Sequence, residues 1–278
     1  MKDRTAKPLT TNFINRRYFI SLGVFTLLYI IGILLPLEAT PHYHNYMSRI
    51  WNWTEILILF TSVYYIVKTK TLHWKQAATA FILGAICLAA LFRDPRTVDI
   101  IITSVCVMVS FYAACRLFEL ANTENASIHT GVAKSLRFFI LGAVISIPLA
   151  LLNVIYFSFS RRINIGNILS SVIFALKPAI AEEVVFRFFL LAYACYSLHG
   201  RTKERFANIC IYILLVIPHD LLHYPDLFVE SPFLAIIMCL LNSMLFGLPM
   251  AMLTKRKNLQ MAVGMHWFID FVRFAAGF

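Results

Sequence analysis

The chain has 278 residues, of which 60% are hydrophobic and only 14% are charged, and its mean hydropathy is +0.74. Soluble domains carry about 45–50% apolar and about 25% charged residues, so this composition excludes an ordinary water-soluble globule. The net charge is +11, but the basic residues form short clusters between apolar runs and match no nucleic-acid motif. We therefore expect a membrane protein that contacts lipid and binds no nucleic acid.

Apolar runs of suitable length predict the fold, because a spanning helix needs about 20 mostly apolar residues. In chain order the runs cover residues 18–36, 55–67, 76–92, 99–117, 136–157, 168–196, 206–222, 232–253 and 260–278. The second run is short, so the number of spans is nine, or eight if that run does not cross. The loops are short, which predicts one compact all-α transmembrane bundle with a scaffold in residues 1–165 and the functional helices in residues 166–278.

Lys and Arg residues in the loops predict the orientation, since cytoplasmic loops carry an excess of both. Alternate loops, beginning with the N-terminal tail, hold 17 of these residues, and the intervening loops hold five. We therefore expect a cytoplasmic N-terminus and, with nine spans, a C-terminus outside. Six cysteines lie inside apolar runs without a Cys-x-x-Cys pair, which is typical of buried apolar side chains.

Ionisable residues inside the predicted spans concentrate after residue 160, and the earlier spans are almost free of them away from their ends. Ten such groups facing lipid would cost roughly 25–35 kcal/mol, so they must face one another or a water-filled cavity. A network of buried salt bridges that only joins helices is the alternative, although buried ion pairs are poor stabilisers. The ten residues are Lys177, Glu182, Glu183, Arg187, His219, Asp220, His223, His266, Asp270 and Arg273.

Three local patterns organise these residues. Glu183 and Arg187 are i and i+4 on a helix and can pair, whereas Glu182 points about 100° away. His219 and His223 are also i and i+4 in the second pattern. The third is His266-Trp267-Phe268-Ile269-Asp270, with the same spacing between its histidine and its aspartate. Histidines facing carboxylates within a few spans indicate an active site more than a set of core residues.

The order of the three motifs resembles the CPBP family of intramembrane proteases. That family includes the type II CAAX prenyl endopeptidases and the bacterial Abi proteins linked to bacteriocin processing and self-immunity. The resemblance covers roughly residues 165–278, and it implies a protease with a membrane-associated or lipidated peptide or protein substrate. It also makes a bacterial plasma membrane the expected location.

The resemblance implies a role for each motif residue. Glu182 matches the family's catalytic glutamate, with Glu183 as its companion and Arg187 completing the first motif. His223 takes the place of the second-motif histidine with His219 in the usual phenylalanine position, while the register that uses His219 as the motif histidine stays open. His266 and Asp270 match the third motif, in which aspartate replaces the asparagine of CAAX enzymes.

Hydrolysis without a nucleophilic Ser or Cys needs an activated water, a general base and donors for the oxyanion. Glu182 and His223 are the predicted residues for positioning and deprotonating the water, His266 is the predicted oxyanion donor, and Asp270 and Arg187 orient their neighbours. An ionised aspartate donates no hydrogen bond, so Asp270 is protonated, orients His266 or helps hold a metal. The cofactor is thus either none or zinc, and Glu182, His223 and His266 are the expected zinc ligands.

Three other functions stay open. The His219-Asp220-Leu221-Leu222-His223 stretch is similar to the His-Glu-x-x-His helix of zinc proteases, but a site-2-type enzyme also needs a carboxylate in an Asp-Gly setting, and the chain has no Asp-Gly. A proton-coupled transporter is disfavoured because the two halves of the chain differ sharply in charge. A non-catalytic immunity or partner-binding protein is the third.

Overall fold

The computed structural model describes residues 11–37, 43–69, 71–92, 97–121, 131–198 and 204–278. These residues form helices and no strand, which confirms the predicted all-α class. The helices are α1 (Thr11–Leu34), α2 (Tyr46–Thr69), α3 (Trp74–Leu88), α4 (Thr97–Leu120), α5 (Val132–Ile145), α6 (Ile147–Ser158), α7 (Ile168–Glu182), α8 (Leu190–Ser197), α9 (Arg205–Leu221), α10 (Pro225–Glu230), α11 (Pro232–Asn242), α12 (Leu248–Arg256) and α13 (Leu259–Ala275).

Each predicted apolar run has a helical counterpart among these elements. By length and hydropathy, three helices of the described chain are suited to cross a membrane: Tyr46–Thr69, Thr97–Leu120 and Pro232–Arg256. The pair α5 and α6, bent by 49° at Ser146, makes a fourth. The chain is an integral membrane protein, and a count of eight or nine spans stays a prediction. The expected orientation also stays a prediction. Some of the basic loop residues on which it depends lie outside the described residues.

The second helix differs from the sequence prediction. The apolar run 55–67 is only its C-terminal part, because the preceding turns contain Arg49, Asn52 and Trp51, which lower the local hydropathy. Arg49 was expected in a loop and Glu55 at a span end, yet both lie inside α2 and are fully buried. The prediction that the early spans carry almost no ionisable group away from their ends is therefore wrong for α2.

Two π-helical stretches interrupt the C-terminal helices. Glu183–Phe189 joins α7 to α8, and Ser243–Gly247 joins α11 to α12. A π-helix widens the helix by one residue per turn and is frequent at functional sites, because it redirects side chains without ending the helix. In this chain the first stretch begins at Glu183, one residue after Glu182.

Two helices organise the packing around these stretches. α4 contacts α2, α3, α8 and the Glu183–Phe189 stretch, and α13 contacts α5, α6, α7 and α12. α5 and α13 meet at two glycines: a Cβ on Gly142 would lie 2.0 Å from the Met261 carbonyl oxygen, and a Cβ on Gly264 would lie 2.0 Å from that of Phe139. Such close approach of backbones is typical of membrane helix pairs. The six cysteines lie buried in the helices, as predicted.

Candidate active site

The predicted polar residues converge in one network of contacts on α7, the π-helical stretch 183–189, α9 and α13. It includes every one of the ten ionisable residues singled out in the sequence except Lys177, which lines a cavity beside it. This convergence follows from the insertion cost of charged groups, which is lowest when they satisfy one another.

Glu183 and Arg187 form the predicted i,i+4 pair. The Arg187 Nη1 atom donates to Glu183 Oε1 at 2.5 Å, and His266 Nδ1 donates to the same oxygen at 2.9 Å. Thr254 donates its hydroxyl to Glu183 Oε2 at 3.4 Å. Glu183 is fully buried and both its oxygens have partners, so its local role is to hold Arg187 and His266.

Glu182 meets three imidazoles, one of which, His266, also contacts Glu183. His219 Nε2 donates to Glu182 Oε2 at 2.7 Å, and His266 Nε2 lies 3.4 Å from that oxygen. His223 Nε2 lies 3.9 Å from it. The predicted meeting of Glu182 with His223 and His266 is thus present in the structure.

His219 and His223 occupy one face of α9 and its C-terminal turn but have different surroundings. His219 is buried, and its Nδ1 atom lies 3.3 Å from both Arg187 Nη2 and Asp220 Oδ1. The His223 side chain is 29% exposed and its ring is open to the adjoining cavities. His219 therefore has the direct hydrogen bond to Glu182, whereas His223 has the access to solvent and substrate.

Asp220 and Asn242 are site residues to which the sequence analysis gave no role. Asn242 Nδ2 donates to Asp220 Oδ1 at 3.0 Å, and Asp220 is fully buried. Gly247 lies against this carboxylate, since a Cβ there would be 2.5 Å from Asp220 Oδ2. The one sequence signal for this arrangement is the placement of Asn242 in the middle of an apolar run.

His266 and Asp270 form the predicted pair on α13. His266 Nε2 lies 3.4 Å from Asp270 Oδ2, and the Arg273 Nη2 atom donates to Asp270 Oδ1 at 2.8 Å. Arg273 thus extends the third motif by one turn, and this salt bridge gives Asp270 an orienting partner on its own helix.

Two cavities meet at Glu182 and His223. One has a volume of about 380 Å³ and is lined mainly by apolar side chains of α6, α11, the Ser243–Gly247 stretch and α13, including Leu152, Phe246 and Ile269. The other, of about 340 Å³, is more polar and includes Asn52 of α2, Asp99 of α4 and Lys177 of α7. A molecule in either cavity can therefore reach the Glu182 carboxylate.

The donor set is chemically suited to zinc, which binds imidazole nitrogens and carboxylate oxygens. Among the described residues, Glu182, His219 and His223 each offer one ligand atom, and these atoms lie within 4.8 Å of one another. The grouping includes His219 in place of the expected His266. Tetrahedral zinc places its ligand atoms roughly 3.3 Å apart. The 2.7 Å contact between His219 and Glu182 is shorter than this ligand spacing and has the length of a hydrogen bond.

Comparison with known proteins supports the interpretation of the motifs. Residues 164–272 match the family model described as Type II CAAX prenyl endopeptidase Rce1-like. Neither the comparison with curated proteins nor that with solved structures gave a match. The matched segment contains all three motifs, so the resemblance to the CAAX protease family is confirmed for this part of the chain.

Proposed function

We propose that the protein is an intramembrane endopeptidase that hydrolyses a peptide bond in a membrane-associated or lipidated substrate. The observation that carries this proposal is the contact of the Glu182 carboxylate with three imidazoles at the junction of two cavities. The match to the CAAX endopeptidase model supports the reaction class.

Glu182 is the general base of the proposed reaction. It takes a proton from a water molecule that attacks the carbonyl carbon of the scissile bond, and the proton then passes to the leaving amine nitrogen. His223 positions this water, because its ring faces the cavities and has no other hydrogen-bonding partner among the described residues. His219 fixes the Glu182 carboxylate through its hydrogen bond.

As an imidazolium, with a proton on each ring nitrogen, His266 donates from Nε2 to the oxyanion that forms on the carbonyl oxygen. Its Nδ1 atom is held by Glu183, which leaves the Nε2 side directed toward Glu182 and Asp270. Removal of one preorganised donor of this kind lowers kcat by a factor of about 10²–10³. Asp270, which forms a salt bridge with Arg273, holds the donor His266 in place. Arg187 pairs with Glu183 and holds that carboxylate beside His266.

The apolar cavity is the proposed binding site for the apolar part of the substrate. Leu152 on α6 and Leu241 on α11 line it and are exposed apolar side chains. The proposed entry route for a substrate segment or a lipid chain passes these two side chains, where the cavity lining is apolar. The more polar cavity supplies water on the other side of Glu182.

The test is cleavage of an internally quenched, prenylated peptide ending in a CAAX sequence by purified protein in phospholipid nanodiscs. We expect cleavage by the wild type and a loss of about 10³ in kcat for Glu182→Gln, within the range of general acid–base catalysis. Glu230→Gln is the matched control, because Glu230 is exposed at the end of α10. Undiminished cleavage by Glu182→Gln contradicts the proposal.

A zinc-dependent form of the same protease is the second candidate, favoured by the grouping of Glu182, His219 and His223. Zinc bound there would supply Lewis-acid activation of the water. Overnight chelation followed by the peptide assay separates the two forms. Full activity after chelation supports the glutamate mechanism, whereas loss of activity that returns with added zinc supports the metal-dependent one.

A further inference from the structure

The His223 imidazole is held differently from the other two imidazoles of the site. His219 donates to Glu182, and His266 is bonded to Glu183. The His223 side chain makes no hydrogen bond within the described part of the chain, and its closest carboxylate contact is the 3.9 Å approach to Glu182. The orientation of this ring therefore depends on packing.

An indole from α2 supplies that packing. The Trp51 and His223 ring centroids are 5.5 Å apart at an interplanar angle of 65°, an edge-to-face geometry that aromatic rings prefer. Trp51 also meets His219 at 6.1 Å and Phe186 at 5.4 Å. The His223 ring otherwise touches His219 and the adjacent Tyr224.

Trp51 is itself fixed by a buried polar chain between α2 and α4. Its Nε1 atom donates to Glu55 Oε1 at 3.0 Å. The Thr103 hydroxyl lies 3.0 and 2.9 Å from the two Glu55 oxygens and can donate to either. Glu55 is fully buried and lies outside the Glu182 network, so its carboxylate serves to orient the indole.

We propose that Trp51, held by Glu55 and Thr103, is a positioning residue for the His223 imidazole. Trp51 lies outside the segment 164–272, so part of the site is supplied by the N-terminal helices. The catalytic consequence rests on the proposed function, while the packing itself is testable without it. A misplacement of a reacting group by about 1 Å can lower the rate about 10²-fold. Packing that fixes the His223 ring can therefore have a large effect on kcat.

The kinetic experiment uses the full chain in nanodiscs and the quenched prenylated CAAX peptide. We expect Trp51→Ala to lower kcat about 100-fold with a much smaller change in KM, because the water is misplaced and the substrate cavity is kept. Trp51→Phe keeps an aromatic ring at this position, so its loss in kcat should be smaller than that of Trp51→Ala. Trp74→Ala is the control, since Trp74 is an exposed indole at the start of α3.

A second pair of variants separates positioning from general stability. Thr103→Val removes the hydroxyl at nearly constant volume, and Thr103→Ser keeps it. Positioning through Glu55 predicts a lower kcat for Thr103→Val and recovery for Thr103→Ser. Equal kcat values for these two variants contradict the proposal that Thr103 acts on Trp51 through its hydrogen bond to Glu55.

A chemical readout tests the packing independently of proteolysis. The rate at which diethyl pyrocarbonate modifies His223 is measured by mass spectrometry of its peptide, and we expect a severalfold higher rate in Trp51→Ala than in the wild type or Trp74→Ala. An unchanged modification rate together with an unchanged kcat overturns the inference. If the wild type cleaves no peptide, the proposed function fails, and the modification rates still decide the role of Trp51.

Discussion

Arg49 in the N-terminal helices and Arg187 in the site helices are both almost fully buried, with 0% and 1% of their surface exposed. Arg49 donates to the carbonyl oxygens of Gly32, Leu35 and Pro36, which are free because α1 ends there. Arg187 instead holds Glu183 and His219 and lines the apolar cavity. A charge buried in a membrane helix thus has two uses: completing backbone hydrogen bonds in a closed site, or arranging reactive groups around a cavity.

This comparison qualifies the rule that an intramembrane ionisable residue marks a functional site. Arg49 is an exception because it donates to backbone carbonyl groups of the neighbouring helix end and lies over the Tyr46 and Trp53 rings, and it lines neither cavity. The site residues differ because they come from several helices and share a cavity wall. Convergence of ionisable side chains on a cavity is therefore a stronger indicator of function than burial of one ionisable residue in a membrane helix.

The largest expected difference between the two regions concerns His266. We expect His266→Ala to lower kcat by about 10²–10³, the usual cost of losing an oxyanion donor. Arg49→Met should leave the kcat of the folded protein unchanged, because Arg49 touches neither cavity. The prenylated peptide assay measures both variants, and equal losses would remove the distinction between the two regions.

Arg49→Met should show its effect in stability. Its removal leaves carbonyl oxygens at the end of α1 without donors, and each such buried group costs about 1–3 kcal/mol. We expect a total near 3 kcal/mol and a clear drop in the midpoint of thermal unfolding in detergent. An unchanged midpoint would mean that water satisfies these carbonyl groups and that the site is not closed.

The α5–α13 contact gives a smaller stability effect in the C-terminal part. The Cβ added by Gly142→Ala meets the Met261 carbonyl oxygen at 2.0 Å, so the helices must separate. Overpacking of this kind costs about 1–3 kcal/mol. Gly23→Ala is the matched control, because nothing lies within 4 Å of its Cβ, and it should unfold at the same or a higher temperature than the wild type.

Asp270→Asn is expected to have the smallest effect. The asparagine oxygen can still accept from Arg273, and its amide adds the donor found in CAAX enzymes, so we expect kcat within about tenfold of the wild type. Asp270→Ala should lose more, because Arg273 and His266 both lose a partner. A greater loss for Asp270→Asn than for Asp270→Ala would show that the carboxylate charge itself is required.

The sequence predicts the site better than it predicts the N-terminal helices, and the reason is local spacing. Pairs at i and i+4, such as Glu183 with Arg187, follow from helix geometry alone. The contact of Trp51 with His223 joins helices that are far apart in the chain, and no local pattern predicts it. Hydropathy also missed the first turns of α2, because Arg49 and Asn52 satisfy their polar groups through tertiary contacts that a window average does not include.

The central claim is that residues from separate helices act as one unit around Glu182, and a double-mutant cycle tests it most directly. Single-turnover cleavage rates are measured for Glu182→Gln, His223→Ala and the double variant, with circular dichroism to confirm that each is folded. Residues of one catalytic unit are strongly non-additive. We therefore predict a double variant no slower than Glu182→Gln alone. Losses that multiply would show that Glu182 and His223 act independently and would contradict the account.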